Sequence, residues 1–326
     1  MLKYILKRGV TYIVMAFLAT SAAFFMASAF FKPGQAYEAR TPRPSQASIN
    51  QMLAGYGLDP NRPIILKYFD WLQRVFLHWD WGRTPTGAYV NHEFGTRVWV
   101  SARLVLISVL LTLIIGVALG VISASRQYSM ADRTLTTYSY ITFILPAPVA
   151  YLLIQLGGIA INQAVGHRIF FVTGLYTTGI TGFWPSLLDL IAHMIVPTFA
   201  MVIFGWGGYQ TAQRQFLLDN VSADFVRTAR ATGLSRSKAI RKHALRVSFI
   251  PVAQSIAFTI PAIFTGSFFA ESIFNWPGVG LWSIQAIGNQ DVSTATVMVA
   301  YGAMIFAIGA IIADIATSAL DPRVRL

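Results

Sequence analysis

The chain has 326 residues, 55% hydrophobic and 12% charged, with a mean hydropathy of +0.56 and a formal net charge of +12. A soluble domain carries about 25% charged residues, so this composition excludes an ordinary soluble fold and indicates an all-α polytopic membrane protein. There is no cysteine, which excludes disulfides and thiolate chemistry, and in so apolar a chain the placement of positive charge says more than its sum.

Lys3, Lys7 and Arg8 precede an uncharged run from Gly9 to Phe31. Ala27-Ser28-Ala29 resembles a signal cleavage site, but the run is longer than the about 7–15 residues of a signal core and suits a retained span of about 20. Lys32 to Arg103 is a long polar segment of mixed sign. In it, Ser45 can cap a short helix through Leu53 that Gly55 and Gly57 end, and Pro63 can start a second. The second helix would carry Ile65, Tyr68, Phe69, Leu72, Val75 and Phe76 on one face, with Trp71, Trp79 and Trp81 near a membrane interface. Few aliphatics populate this segment, so a cap packed on the spans is expected in place of an independent domain.

Leu104 to Ser125 reads as the second span. Thr134 to Val165 holds the third, with a kink or a late start at Pro146 and Pro148. Gly166 to Ser186 is a loop, and Leu187 to Ala212 is the fourth span, with Asp189, His193 and Pro197 in its first turns. Asp224 to Arg246 is the most basic run of the chain. Val247 to Ala270 is the fifth span, Glu271 to Asp291 a loop containing ESIFNWPGVG, and Val292 to Ala313 the sixth span.

Six spans place both termini on one side of the membrane. Short segments on that side carry Lys3, Lys7, Arg8, Arg126, Arg133, the basic run, Arg323 and Arg325, while the short segments opposite carry only Arg168. The termini and the basic run are therefore expected in the cytoplasm. The chain divides into 1–31, the N-terminus and first span; 32–100, an extracytoplasmic loop with short amphipathic helices; and 101–326, the remaining spans with a cytoplasmic hairpin at 213–246.

Asp224 to Arg246 reads as two short helices joined at Gly233, the first from Ser222, its N-cap, to Thr232, the second capped by Ser235 and running into the fifth span. Phe225, Val226, Ala229 and Leu234 give the first an apolar face. An ordinary positive-inside loop would need no partner. A DNA-binding helix-turn-helix would need further helices to pack on, and the interval between spans is too short for them, so no nucleic-acid partner is expected.

No GxxxxGK[ST], HExxH or GxSxG motif is present, so no enzyme activity is expected of the chain. The histidines are scattered, and His193 suits packing better than metal ligation. Glu271 and Asp314 are the acids closest to lipid, where a cap or ion pair competes with a functional role. A secondary transporter or channel driven by an ion gradient would predict ionisable residues at mid-membrane and inverted repeats, and neither is evident. A non-transporting membrane subunit is a further alternative.

Four stretches in order carry a resemblance: LKYILKRG before the first span; Tyr56-Gly57-Leu58-Asp59 through Asp80-Trp81-Gly82; DFVRTARATGLSRSKAIRKHALR; and Glu271, Phe274, Pro277, Gly278 and Gly280 through to Leu320-Asp321-Pro322-Arg323. The sequence resembles the permease subunits of bacterial ABC importers for peptides and nickel, most closely the B-type oligopeptide/dipeptide permeases. The resemblance implies the type I importer permease fold and a bacterial cytoplasmic-membrane location. It implies a second homologous permease, two ATPase domains that bind ATP and Mg, an extracytoplasmic solute-binding protein and a peptide cargo, with no cofactor in this chain; nickel chelates or another solute remain alternative cargoes. It assigns ATPase coupling to Phe225, Arg227, Thr228, Ala229, Arg230, Ala231, Thr232, Gly233 and Leu234, and implies that Ser45 to Gly82 and Glu271 to Gly280 meet the binding protein. Arg227 stands where the general coupling motif has glutamate, and Lys32-Pro33-Gly34-Gln35 where the family often has Pro-Gly-Asp-Pro. No side chain is singled out for substrate.

Overall fold

The computed structural model describes residues 2–38, 41–265 and 267–320. Those residues are helical apart from connections and one isolated bridge, Arg83 to Tyr89. In chain order the helices are α1 (Leu2–Phe30), α2 (Gln46–Gly55), α3 (Ile64–His78), α4 (Val90–Ser125), α5 (Met130–Ile144), α6 (Ala147–Val165), α7 (Phe183–Val221), α8 (Asp224–Ala231), α9 (Arg236–Ala239), α10 (Leu245–Thr265), α11 (Phe268–Ile273), α12 (Val279–Gly288) and α13 (Val292–Leu320). A 3₁₀ turn covers Pro33–Tyr37, and a π-helical turn, Ile240–Ala244, joins α9 to α10.

Among the described residues, five helices are long and apolar enough to cross a membrane: Lys7–Phe30, Val90–Ser125, Ala147–Val165, Phe183–Val221 and Val292–Ile312. At the place expected for the fifth span, α10 has 21 residues.

Local chemistry explains most boundaries. Ser45 is extended and its hydroxyl accepts from the Ser48 N–H at 3.2 Å, capping α2 as its type predicts. Ser129 caps α5 in the same way. Leu145 is extended, as a residue before proline must be, and Pro146 opens α6, so of the expected kink or late start the helix shows the late start, at Ala147.

Four expectations are corrected. The helix at the place expected for the fifth span, α10, ends at Thr265 instead of Ala270. The expected loop from Glu271 to Asp291 is largely helical, as α11 and α12. Ser222 does not cap α8: it closes the long α7, Ala223 precedes α8, and the first hairpin helix is Asp224–Ala231, shorter than Ser222 to Thr232. The buried face of α3 is Tyr68, Trp71 and Val75, whereas Ile65, Phe69 and Phe76 are exposed at 62%, 59% and 70%. Asp314 and the Leu320-Asp321-Pro322-Arg323 stretch lie outside the described side chains.

The chain forms two compact units. The first comprises Met1–Ala102, Phe264–Ser272 and Pro277–Ile311. Its core joins Phe24 and Ala27 of α1 to Tyr68, Trp71 and Val75 of α3 and to Trp282, Val292 and Val297 of α12 and α13. Phe24 stacks on Trp71 at 5.0 Å between ring centres. The long loop thus packs mainly on the spans, and Tyr37, Ile49 and Leu53 form only a small satellite cluster.

The second unit comprises Arg103–Ile263, Ile273–Trp276 and Ile312–Leu326. Its helices are tied by hydrogen bonds between buried polar side chains: Ser139 of α5 donates to Gln210 of α7 at 2.8 Å, and Gln213 donates to Ser248 of α10 at 3.1 Å. His193 is packed, as expected. Its ring lies 4.5 Å from that of Phe171, and its Nδ1 is 2.8 Å from the Asp189 carbonyl oxygen.

Candidate functional site

The basic run folds as a helix, a tight turn and a second helix. Asp224 lies in the first turn of α8 and Arg230 in its last, each favourable to the helix dipole. Gly233 takes φ +95°, a conformation only glycine adopts without strain. There the Gly233 N–H bonds to the Arg230 carbonyl at 3.0 Å and the Leu234 N–H to that of Ala229 at 3.2 Å. Ser235 occupies the N-cap position of α9 in extended conformation, but its side chain makes no capping bond. The π turn then leads into α10 without interruption. The second arm of the hairpin and the helix at the fifth-span position are therefore one continuous rod.

One side of this hairpin is buried in the second unit's own core. Val226 and Ala229 pack with Leu217 of α7, Ala124 of α4, and Ala239, Ile240 and Ala244 of the second arm, with Leu234 partly buried against them. Ala229 and Leu234, expected on the coupling surface, thus belong wholly or partly to the seat. Phe225 (40% exposed), Arg227, Thr228, Arg230, Ala231, Thr232 and Gly233 lie on the open side. Arg236, Lys238, Arg241, Lys242 and Arg246 extend it. Among the described residues, the hairpin's ion pair is Asp224–Arg227 at 3.6 Å, both largely exposed and so worth little. A groove of about 700 Å³ beside it is lined by Arg126, Arg236 and Arg241 over Val121, Ile122 and Ile240. The surface is cationic around a small apolar centre.

The seat is held by a pair whose significance the sequence concealed. Asp132 of α5 accepts from Arg214 of α7 through Nε at 2.7 Å and Nη2 at 2.9 Å, and also from the Tyr128 N–H at 2.9 Å and the Ser123 hydroxyl. The Arg214 guanidinium holds the Asp132 carboxyl well below the usual carboxylate range, against the burial that pushes it up. The clamp joins the α4–α5 turn to α7 one turn before Leu217. No local pattern links two residues so far apart in sequence.

Of the outer motif, Glu271, Gly278 and Gly280 come together in the first unit. Glu271, fully buried, accepts from Ser101 Oγ at 2.7 Å and the Ser267 N–H at 3.1 Å on one oxygen, and from the Gly280 and Leu281 N–H groups at 2.7 and 3.2 Å on the other. It is the anionic cap of α12. A Cβ at Gly278 would overlap Ser101 Oγ and lie 2.5 Å from Glu271 Oε2, so this position admits only glycine. Phe274 belongs to the second unit and is buried, its carbonyl accepting from the Gly174 N–H at 2.9 Å, and Pro277 is half-buried. These residues shape the segment, and their burial leaves little of them to present.

Long apolar helices, hydrogen-bonded through buried amides, define a multi-pass, all-helical membrane protein. Residues 116–326 match the family described as binding-protein-dependent transport system inner membrane component. The chain belongs to this family, and is thus a transport-system membrane permease component, not a catalytic enzyme. It is similar to the oligopeptide transport system permease protein OppB of Mycobacterium tuberculosis H37Rv, 35% identical over 327 residues and 100% of both chains. It is similar to AppB of Bacillus subtilis strain 168, another oligopeptide transport system permease protein, 32% identical over 87% of each chain. It also resembles the dipeptide transport system permease protein DppB of Escherichia coli K12, 28% identical over 84% of each.

Proposed function

We propose that this chain is one permease subunit of an ATP-driven peptide importer in the bacterial cytoplasmic membrane. It crosses six times, α10 supplying the remaining span, with its termini and the α8–α9 hairpin in the cytoplasm. It pairs with a second, homologous permease to line the pathway, and an extracytoplasmic binding protein delivers peptide to the opposite face. ATP and Mg are held by two partner ATPase domains, and this chain contributes no cofactor site.

The observation that carries the proposal is the hairpin. Its apolar residues are divided between a seat inside the chain and an exposed Phe225 on a hairpin whose exposed charges are mostly cations, which fits a cleft with an acidic rim. Its second arm continues into α10, so a tilt of the docked ATPase is passed to that span as to a lever. The relatives' names supply the cargo class, which no side chain here specifies.

Phe225→Asp and Arg230→Glu test the docking surface. Both residues are exposed, so membrane insertion is expected unchanged, while uptake of labelled peptide falls at least tenfold and the ATPase subunits no longer copurify. Undiminished uptake in both variants would refute the coupling role.

A further inference from the structure

The helix α3 has three faces. Tyr68, Trp71 and Val75 are buried in the first unit's core. At 3.6 residues per turn, Lys67, Asp70, Arg74 and His78 share a second arc. Ile65, Leu66, Phe69, Phe76 and Leu77 share a third, and these are 62%, 50%, 59%, 70% and 67% exposed. The exposed Gln73 interrupts this arc, but five exposed large apolar side chains on one side of a single helix are costly in water and mark a surface that something apolar covers.

The depth of the helix identifies what covers it. The Tyr68 hydroxyl is 2.8 Å from Ser21 Oγ, and the Tyr68 ring is 4.7 Å from that of Phe25 and 5.5 Å from that of Phe24. Ser21 lies about 14 Å before the end of α1 at Phe30, at about 1.5 Å per residue. A hydrocarbon layer about 30 Å thick, counted from the cations Lys7 and Arg8, extends well beyond Ser21 along α1. The centre of α3 is therefore level with acyl chains. Leu18, Phe25 and Met26 of α1 are themselves exposed at 60%, 38% and 63% over the same depth. Trp79, 63% exposed at the end of α3, suits the boundary with headgroups. On the polar arc, Lys67 and Arg74 line a cavity of about 480 Å³ together with Lys32 and Asn61.

We propose that α3 is an interfacial helix sunk in one leaflet, with lipid acyl chains covering Ile65, Leu66, Phe69, Phe76 and Leu77, and its Lys67–Arg74 arc turned to the headgroup layer. The first loop is thus anchored laterally in the bilayer, and any contact it makes with a binding protein falls on its other elements. That the leaflet is the outer one rests on the orientation proposed above, whereas the acyl contact does not.

The absence of native cysteine makes the test direct. Phe69→Cys, Phe76→Cys and, on the polar arc, His78→Cys are made in the full chain, expressed with its partner subunits and labelled with an environment-sensitive fluorophore, with the unsubstituted chain as background. Doxyl-labelled lipids are expected to quench positions 69 and 76 several-fold more than position 78, and aqueous iodide to show the reverse order. Strong iodide quenching at 69 and 76 would overturn the proposal, and so would protection from both quenchers, which would place a protein on this face. Gln51→Cys, in α2, reports orientation separately. Its labelling by an impermeant reagent only from the cytoplasmic side would sink the proposed topology while leaving the lipid contact standing.

Discussion

At Glu271 and Gly278 one carboxylate and one missing methyl group hold a turn together. Four donors converge on Glu271, and the backbone at Gly278 approaches too closely for any side chain. Glu271→Gln puts an amide where donors already point, and leaving one unpaired costs about 1–3 kcal/mol. Gly278→Ala forces Ser101 and Glu271 apart and is expected to cost at least as much. Thermal denaturation of the purified complex should show a lower midpoint for both. The Asp132–Arg214 clamp behaves differently with pH. Because Arg214 depresses the Asp132 carboxyl, its contribution is complete above the ordinary carboxylate range and declines progressively as the pH falls below about 4. Asp132→Asn leaves Arg214 without its partner; because the Arg214 side chain is 22% exposed, the cost falls below the about 3–5 kcal/mol of breaking a fully buried pair. The stability difference from the unsubstituted chain should be constant between pH 8 and pH 5.

At the scale of elements, the hairpin is a turn with two arms of different use. Gly233 has open space around it, so Gly233→Ala meets no neighbour and carries only the backbone strain of a positive φ, about 1–2 kcal/mol. Gly233→Pro fixes φ near −65° and is incompatible with the turn. Peptide uptake should survive the alanine change in part and be lost with proline, while the amount of protein in the membrane stays the same. The turn at Gly233 and the path into α10 were legible because glycine and proline act locally. The extent of α8 was less so: Ser222 is a good capping residue by type, yet α7 runs through to Val221 and takes it as a terminus. For α3 the sequence reading placed Ile65, Tyr68, Phe69, Leu72, Val75 and Phe76 on one face, and periodicity could not separate the arc that faces protein from the adjacent exposed one.

For the whole molecule, orientation is the decisive property. An impermeant thiol reagent applied to intact cells should label Gln51→Cys and spare Ser237→Cys, and inverted vesicles should reverse the result. Labelling of Ser237→Cys from outside would contradict the cytoplasmic hairpin.

Composition, charge asymmetry and a few glycines and prolines determined by themselves that this is a multi-pass helical membrane protein, where its long apolar helices lie, and that Asp224–Arg246 is a turn feeding the next helix. Those features act through local backbone preference and transfer from water, which a single strand of sequence already contains. Tertiary structure alone decided that Val226 and Ala229 belong to the seat, that Asp132 meets Arg214, that Glu271 caps α12 and that α3 lies level with Ser21. Each of these depends on which distant segments meet, and burial turns such meetings into energy only after the helices have packed.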